Sequence, residues 1–406
     1  MSLLVRTVQS QAEYVGAFGA ILQYFGREPL SDAQAARSMT ILPFERMHAA
    51  FDGAEVVGGA GAFRFDLTVP GGALPCAGVT VVGVAPTHRR RGALTAMMRA
   101  QLDVCRAGGE PLAALWASEE TIYGRFGYGV AAWDGELSLP RAHAAFAKPF
   151  TPRGRFRLVS AQEALAPAMQ VYASVRSRRA GTVSRTPEWW NERRLGDFPE
   201  RREPGAGPKR IVLLELDGEV QGHAIYRHHP KWEQGFPAAT TEVFEAFATS
   251  PEAERELWRY LLDLDLAETI VAPKLALDHP LLQLLAQPRY GKFRVGDSLW
   301  LRLVDVGAAL SGRSYRPGAP TVFEVRDAFC PWNEGRWKLA DGTAARTDAP
   351  ADLTLDVDAL AAAYLGGVTF RALADGLRVE ERTPGAIANA DARFRTDRLP
   401  WCPEMF

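Results

Sequence analysis

The spacing of apolar and polar positions predicts alternating helices and strands in the first third of the chain. Residues 13–25 have helical spacing, with one apolar side. Ser31 and Gln34 have the spacing of a helix capping box. Residues 79–84 are rich in β-branched side chains and predict a buried strand, which Pro86 ends because proline cannot donate a ladder hydrogen bond. This alternation is typical of an α/β fold.

Further elements follow the same pattern. Residues 55–65 and 111–116 are apolar and predict strands, and residues 51–55 predict the turn before the first of them. Residues 92–106 predict an amphipathic helix. Its apolar positions are Leu94, Met97, Met98, Leu102 and Cys105.

The chain partly repeats itself in its middle third. Residues 52–60, Asp-Gly-Ala-Glu-Val-Val-Gly-Gly-Ala, resemble residues 217–224, Asp-Gly-Glu-Val-Gln-Gly-His-Ala. Residues 82–87 are echoed by residues 245–251, and a helix is predicted after each, the second at about residues 252–266. Two matches in the same order and at similar separation favour a duplicated domain.

The two copies differ at the start of this helix. The first copy has Arg89, Arg90, Arg91 and Gly92 there, whereas residues 252–256 of the second read Glu-Ala-Glu-Arg-Glu. Acidic residues suit the positive end of a helix dipole but repel phosphate. The second copy is therefore predicted to be structurally retained and chemically silent.

Residues 79–93 carry the chemical signal. A helix start has unpaired backbone N–H groups that bind anions, and Arg89 and Arg90 add charge-assisted hydrogen bonds to phosphate oxygens. Gly92 allows the ligand to approach the backbone, and a pantetheine arm would run along Val82 and Val84 like an added strand. A surface arginine cluster and a nucleic-acid patch are the alternatives. The second is weak, because no further basic or aromatic residues extend the footprint.

Composition narrows the functional class. The 406 residues have a net charge of −1, so no global field favours nucleic acid or an anionic membrane. The four cysteines are scattered and form no Cys-x-x-Cys pair, which predicts a reducing cytoplasm and no structural zinc. No apolar run approaches the roughly 20 residues that span a bilayer, and residues 1–14 lack the apolar core of a signal peptide. We therefore expect a cytoplasmic protein with no metal, nucleic-acid or membrane partner.

The last hundred residues have a different pattern of predicted strands and helices. Strands are predicted at 297–304, 322–325 and 336–339, and helices at 356–365 and 370–374. These changes predict three domains, comprising residues 1–136, 137–295 and 296–406.

A family resemblance follows from two segments. Arg89 and Gly92 take the first and fourth places of the Arg/Gln-x-x-Gly-x-Gly/Ala motif of the GNAT superfamily of N-acetyltransferases, although Leu94 stands where that motif has a small residue. Residues 84–92 and 117–129 closely resemble the enhanced-intracellular-survival (Eis) branch. This resemblance covers the whole chain and implies an α/β (α+β) fold, with tandem GNAT domains, the second degenerate, and a terminal α+β domain similar to sterol carrier protein. Residues 300–306 and 364–367 match the terminal domain.

The resemblance also implies a function. It implies a homo-hexameric, acetyl-CoA-dependent N-acetyltransferase that acts on amines, aminoglycosides among them, with Tyr123 as general acid and the terminal carboxylate of Phe406 as general base. The residues implied to bind acetyl-CoA are Val82, Val84, Arg89, Arg90, Gly92, Ala93 and Ser118. The residues predicted to line the amine pocket are Phe25, Phe44, Trp116 and Glu404.

Each of these assignments has an alternative. Tyr123 lies in an aromatic run with Phe126 and Tyr128, and such runs usually form core. Ser118 equally suits the cap of the following turn. The stretch 24–27 departs from the pattern of aminoglycoside-acetylating members, so small polyamines or protein lysines are alternative acceptors. A non-enzymatic acyl-CoA or lipid carrier is the alternative from another functional class.

Overall fold

The computed structural model describes residues 3–406, and contacts between these residues divide the chain into two units. The first unit comprises the residues up to 132 together with residues 298–400 and 404–406. The second comprises residues 133–297 and 401–403. The predicted limits of three domains at 136/137 and 295/296 stay predictions, and a continuous strand, Trp133–Pro140, crosses the first of them.

The strands are numbered in chain order. They are β1 Leu4–Thr7, β2 Met47–Asp52, β3 Glu55–Val69, β4 Gly72–Val84, β5 Leu112–Leu115, β6 Gly129–Val130, β7 Trp133–Pro140, β8 Arg155–Val159, β9 Arg210–Leu216, β10 Glu219–His229, β11 Trp232–Glu233, β12 Phe236–Pro237, β13 Ala239–Ala248, β14 Ala267–Ala276, β15 Arg294–Asp297, β16 Trp300–Leu303, β17 Thr321–Arg326, β18 Gly335–Ala340, β19 Thr343–Arg346, β20 Leu353–Asp356 and β21 Val379–Glu381.

The α-helices are numbered in the same way. They are α1 Gln11–Tyr24, α2 Asp32–Met39, α3 Ala93–Ala107, α4 Glu120–Tyr123, α5 Ala161–Arg176, α6 Pro187–Trp189, α7 Pro251–Leu262, α8 Leu281–Leu284, α9 Val306–Ser311, α10 Val357–Tyr364, α11 Phe370–Asp375 and α12 Ala386–Phe394. A π-helical segment, Trp190–Leu195, continues α6. Short 3-10 turns lie at Phe44–Arg46, Pro86–His88, Gly124–Phe126, Arg141–His143, Pro199–Arg201, Pro288–Gly291 and Pro331–Asn333.

Most predicted elements are present, with shifted ends. The capping box of α2 is confirmed, because Ser31 accepts from the backbone of Gln34 while the Gln34 side chain accepts from the Ser31 N–H. The strand predicted at 297–304 is confirmed over Trp300–Leu303, which form β16, but it begins three residues too early. Asp297 is the last residue of β15, and β15 and β16 pair in different sheets. Between them Ser298 is buried and donates to the Ala132 carbonyl, so the chain leaves one sheet and joins the other there.

A seven-stranded sheet in the order β1-β2-β3-β4-β5-β16-β6 forms the core of the first unit. Strand β4 pairs with β3 along its whole length to Val84, but it pairs in parallel with β5 only from Cys76 to Gly78. Beyond Gly78 the two parallel strands separate. One edge of the last part of β4 is therefore left without a strand partner, and this open seam lies at the carboxyl ends of the strands, where ligands bind in open α/β sheets.

The second unit repeats this architecture, which confirms the predicted duplication. Its sheet has the order β8-β9-β10-β13-β14-β7-β15, with β13 and β14 as the parallel pair and α7 following β13 as α3 follows β4. In each sheet the sixth strand comes from a distant part of the sequence. Strand β7 directly follows β6 of the first sheet in the chain but belongs to the second sheet. Strand β16 directly follows β15 of the second sheet but belongs to the first.

The terminal part of the first unit is a five-stranded sheet, β19-β18-β17-β20-β21, covered by helices. Three phenylalanine rings, Phe323, Phe370 and Phe394, pack at centroid distances of 5.0 to 6.0 Å in its core. Buried Arg313 donates to the carbonyl oxygens of Tyr364 and Phe394, so this core holds a hydrogen-bonded cation as well as apolar side chains. Within residues 3–406, no helix is both long and apolar enough to cross a membrane.

Candidate functional site

The open edge of β4 is the centre of the candidate site. The strand is interrupted by a bulge at Val81, whose φ is +57°, and the pairing register with β3 shifts there. A bulge sets two residues of one strand against one of its partner, here Val81 and Val82 against Ala60, and β4 pairs with β3 again at Gly83 and Val84. Val82 and Val84 are half-buried on this stretch. The Tyr24 hydroxyl donates to the Val84 carbonyl over 2.9 Å, which ties the end of α1 to the strand.

The start of α3 follows directly and has the geometry of an anion site. Gly92 is the N-cap residue, with φ of +87° and no side-chain hydrogen bond to the helix, so the first N–H groups have no cap. This left-handed φ favours glycine over residues with a Cβ atom. Arg89, Arg90 and Gly92 are exposed around the helix start, while Ala93 is buried beneath it.

The three arginines have different roles. Asp52 accepts from Arg91 over 3.0 Å and lies 3.2 Å from the His88 ring, and the hydrogen bond from Arg91 lowers the pKa of Asp52. Arg91 thereby fastens the loop to the end of β2. Neither Arg89 nor Arg90 has a carboxylate partner in the described part of the chain, and the Arg89 guanidinium lies 5.9 Å from the Tyr24 ring centroid. These two charges remain available to a ligand.

The matching helix start in the second unit cannot offer such a site. The Ser250 hydroxyl accepts from the Ala253 N–H, so this helix is capped by its own side chain. Pro251 takes the first helical position, and Glu252 and Glu254 make the first turn acidic. These three features agree with the chemical silence expected of the second copy, which stays a prediction.

Tyr123 ends α4 and is 6% exposed. Its ring meets Tyr128 edge-on at a centroid distance of 6.1 Å. Burial, together with the nearby Glu119 carboxylate, raises the pKa of Tyr123 to about 12, so its hydroxyl keeps its proton. Ser118 is exposed in the loop between β5 and α4, and Trp116 is half-buried directly after β5.

The end of the chain lies against the same sheet. Phe406 is 9% exposed and packs on Phe65 and Phe63 at centroid distances of 5.0 and 6.5 Å. Phe63 is directly opposite Gly78 in the β3–β4 ladder, and a Cβ atom on Gly78 would lie 3.3 Å from the Phe406 ring. The terminal residue therefore packs where β4 begins to separate from β5.

Tyr123 and Phe406 approach β4 from different faces of the sheet. Cross-strand neighbours share a face, so Phe63, Phe65 and Gly78 lie on the face that carries Phe406. Val79 points to the opposite face and belongs to the buried cluster that includes Tyr123 and the apolar side of α3.

The residues predicted to line the amine pocket have diverse surroundings. Phe25 is 59% exposed at the end of α1, and Phe44 is half-buried with its ring 5.8 Å from that of Tyr14. Glu404 is a buried carboxylate two residues before the end of the chain.

Sequence reasoning did not find four further contributors. They are Tyr24 on the Val84 carbonyl, the bulge at Val81, and the aromatic pair Phe63 and Phe65 beneath Phe406. The alternation of Phe63 and Phe65 along β3 was a readable signal that one face is aromatic. Nothing in the sequence linked that face to the end of the chain.

The metal-ligating side chains and the thiols of the described residues can be located. The described residues contain no group of three His, Cys, Asp or Glu side chains that could hold a metal ion. All four cysteines are buried.

Comparisons with known proteins agree with this geometry. The family model of the acetyltransferase (GNAT) domain matches residues 5–131, a second GNAT-domain model matches residues 181–303, and a sterol carrier protein domain model matches residues 306–403. These matches confirm the predicted fold class, two GNAT domains followed by a domain similar to sterol carrier protein.

Relatives match over most of the chain. An uncharacterized N-acetyltransferase of Streptomyces avermitilis is 42% identical over 395 residues, 96% of each chain. The N-acetyltransferase Eis of Mycobacterium tuberculosis is 36% identical over 358 residues, covering 85% of this chain and 84% of that protein. The crystal structure of Eis1 from Mycobacterium abscessus is 36% identical, with a TM-score of 0.84 over 99% of this chain and 100% of that one. A GCN5-related N-acetyltransferase from Anabaena variabilis, 20% identical with a TM-score of 0.84, shares the fold.

Proposed function

The chain belongs to the Eis family of GNAT N-acetyltransferases, and on this premise we propose that it transfers the acetyl group of acetyl-CoA to amino groups of small polycationic molecules. Polyamine-like compounds and aminoglycosides are the acceptor class, with protein lysines as a second class. The observation that supports acetyl-CoA most strongly is the open edge of β4, which leads to an uncapped helix start. Beside that start lie two arginines that have no carboxylate partner among residues 3–406.

Acetyl-CoA fits this surface from end to end. Its diphosphate would lie on the N–H groups at the start of α3, with Arg89 and Arg90 on the phosphate oxygens. Its pantetheine arm would extend along Val82 and Val84 as an added strand, in the place that β5 leaves open beyond Gly78. Ser118, exposed after β5, would bond the acyl end of the same substrate.

The reaction we propose is direct attack of the amine on the thioester. The amine nitrogen forms a bond to the carbonyl carbon while the bond from carbon to sulfur breaks. The proton of the amine passes to the terminal carboxylate of Phe406, and the leaving thiolate takes a proton from the Tyr123 hydroxyl. Backbone N–H groups near the bulge at Val81 would stabilise the charge on the carbonyl oxygen.

In this proposal, the proton transfer to Phe406 takes place on one face of the sheet and the proton transfer from Tyr123 on the other. Phe406 packs on one face and the Tyr123 cluster lies on the other, so an amine would enter from the Phe406 side while the thiolate leaves toward Tyr123. We propose that Glu404 and the terminal carboxylate face the amine, where negative charge would favour a cationic acceptor. Phe25, Phe44 and Trp116 are proposed as its apolar walls.

Two other expectations stay predictions. The homo-hexamer and the cytoplasmic location rest on the family resemblance and on composition. The alternative of a non-enzymatic lipid carrier is set aside, because the chain belongs to a family of N-acetyltransferases. Phenylalanine rings and the buried Arg313 also fill the core of the terminal domain.

The arginines provide a matched test of the acetyl-CoA site. Arg90→Ala removes a charge that has no carboxylate partner, so we expect the KM for acetyl-CoA to rise at least about tenfold, since a charge-assisted hydrogen bond contributes about 1.5–3 kcal/mol. Arg91→Ala removes a charge already paired with Asp52, so its effect on KM should stay within about threefold.

Thiol release from acetyl-CoA measures both variants, with spermidine, an aminoglycoside and a lysine peptide as acceptors. Turnover that rises with acceptor charge supports a polycation site. Equal KM changes in the two variants, or thiol release that no amine stimulates, would contradict the proposal.

A further inference from the structure

A cavity of about 220 Å³ in the second unit has an excess of positive charge. Five cationic side chains line it, and the only carboxylates among its lining residues are Glu192 and Asp197. The cations are Arg193, Arg194, Arg201, Lys209 and Arg227. Five cationic groups thus share the lining with two carboxylates, and a third acid, Glu245, accepts from Arg194 behind the wall.

The two carboxylates are already engaged. Asp197 accepts from Arg202 and Arg227, each over 2.7 Å, and from the Lys209 backbone N–H over 2.9 Å. Glu192 is paired with Arg201. These acids hold the arginines in place, and their oxygens have little capacity left to neutralise the remaining cations.

Lys209 is the clearest excess charge. Its ammonium group donates to the carbonyl oxygens of Arg194 and Gly196, each over 2.7 Å, so one of its three N–H groups is left for a ligand. Burial, together with the neighbouring charges of Arg194 and Arg227, lowers the pKa of Lys209 to about 8. An anion in the cavity would relieve this repulsion. The buried Nε of Arg227 also has no hydrogen-bond partner among residues 3–406.

Two irregular backbone segments line the cavity, and such irregularities support a ligand-binding site there. Glu192, Arg193 and Arg194 come from the π-helical segment Trp190–Leu195, a rare conformation that is frequent at functional sites. The opposite wall, Ile225 and Phe244, lies where β10 and β13 shift register. A π-helix and a bulge thus meet at one basic cavity with an apolar wall.

We propose that this cavity is a binding site for a small phosphate monoester, separate from the acetyl-CoA site of the first unit. The phosphoryl group would accept from Lys209, Arg227 and Arg201, which match its doubly charged oxygens. A volume of 220 Å³ is about seven times the roughly 30 Å³ that a water molecule occupies in the liquid. It therefore has room for a small apolar substituent against Ile225 and Phe244.

Calorimetric titration of the full chain with phenyl phosphate tests the proposal. Lys209→Met removes the excess cation but keeps the aliphatic stem, and Lys231→Met makes the same change at an exposed lysine of the same unit. We expect saturable binding to the native chain and to Lys231→Met, and at least about tenfold weaker binding to Lys209→Met. Arg201→Gln changes an exposed position of the lining and should weaken binding by a similar factor. It serves as the test if Lys209→Met folds poorly.

The variants also identify the site. Phosphate held by Arg89 and Arg90 at the start of α3 would bind equally to Lys209→Met and to the native chain. Equal affinity in the native chain, Lys209→Met and Arg201→Gln, or no saturable binding to the native chain, would overturn the proposal. Because the readout is binding and not turnover, it does not depend on the proposed acetyl transfer.

Discussion

Replacing Phe406 by alanine keeps the terminal carboxylate of the chain but removes the ring that holds it against β3. The ring is 9% exposed and contacts Phe65 and Phe63 at 5.0 and 6.5 Å. The neighbouring residue, Met405, is 57% exposed, so Met405→Ala is a control at the adjacent position. Both variants keep the terminal carboxylate, and only Phe406→Ala removes the packed ring, so the difference between them reports the effect of that packing on activity.

The magnitude follows from burial. Burying a phenylalanine side chain contributes about 1.5–3 kcal/mol, and each aromatic pair adds about 0.5–1.5 kcal/mol. A loss near 3 kcal/mol lowers the preference for the packed terminus by roughly a hundredfold, because 1.4 kcal/mol is a factor of about ten. The same loss of packing lowers the free energy of unfolding by up to about 3 kcal/mol, so turnover is compared under conditions in which the variant stays folded.

Steady-state thiol release measures the consequence. We expect kcat/KM for the amine to fall about 10- to 100-fold in Phe406→Ala and to change less than about twofold in Met405→Ala. Appending one glycine after Phe406 keeps the ring and moves the carboxylate by about 3.8 Å, beyond the roughly 2.6–3.2 Å reach of a general base. The extended chain should therefore lose kcat and keep its KM for acetyl-CoA.

Two results would refute this reasoning. Native turnover in the glycine-extended chain would mean that the terminal carboxylate takes no part in proton transfer. Equal loss in Phe406→Ala and Met405→Ala would mean that the packing of the Phe406 ring does not position the carboxylate.

Two further predictions concern the first unit. Because the pKa of Tyr123 is raised to about 12, its acidic form persists at high pH, and kcat should show no alkaline loss from this residue below about pH 11. Tyr123→Phe should lower kcat at least about a hundredfold and leave the KM for acetyl-CoA unchanged. If kcat of the native chain fell with rising pH below pH 9 and this fall disappeared in Tyr123→Phe, Tyr123 would not have the raised pKa expected of it. Arg46 and Glu110 form a buried pair with contacts of 2.8 and 3.0 Å, so Arg46→Met should lower the free energy of unfolding by about 3–5 kcal/mol in denaturant titrations. The double variant Arg46→Met/Glu110→Gln should recover part of this loss, and a single variant as stable as the native chain would show that the pair contributes nothing.

The sequence predicted the parts of the site that are local in the chain. The strand, the proline, the arginines and the amphipathic helix of residues 79–106 are contiguous, and each is encoded by short-range periodicity or by turn chemistry. The capping box of α2 and the acidic start of α7 were readable for the same reason. The predicted catalytic and binding roles of individual residues still await the experiments above.

Tertiary structure decided what joins distant parts of the chain. It placed Phe406 on Phe63 and Phe65, paired Arg91 with Asp52, inserted β16 into the first sheet, and surrounded Lys209 with arginines. The strand predicted at 297–304 began too early, because only the strand partners show that Asp297 ends β15 in one sheet while Trp300 begins β16 in the other. Periodicity along the chain reports which side of an element is buried. It contains no information about which remote segment covers that side, because that choice depends on packing between surfaces that meet only in the folded protein.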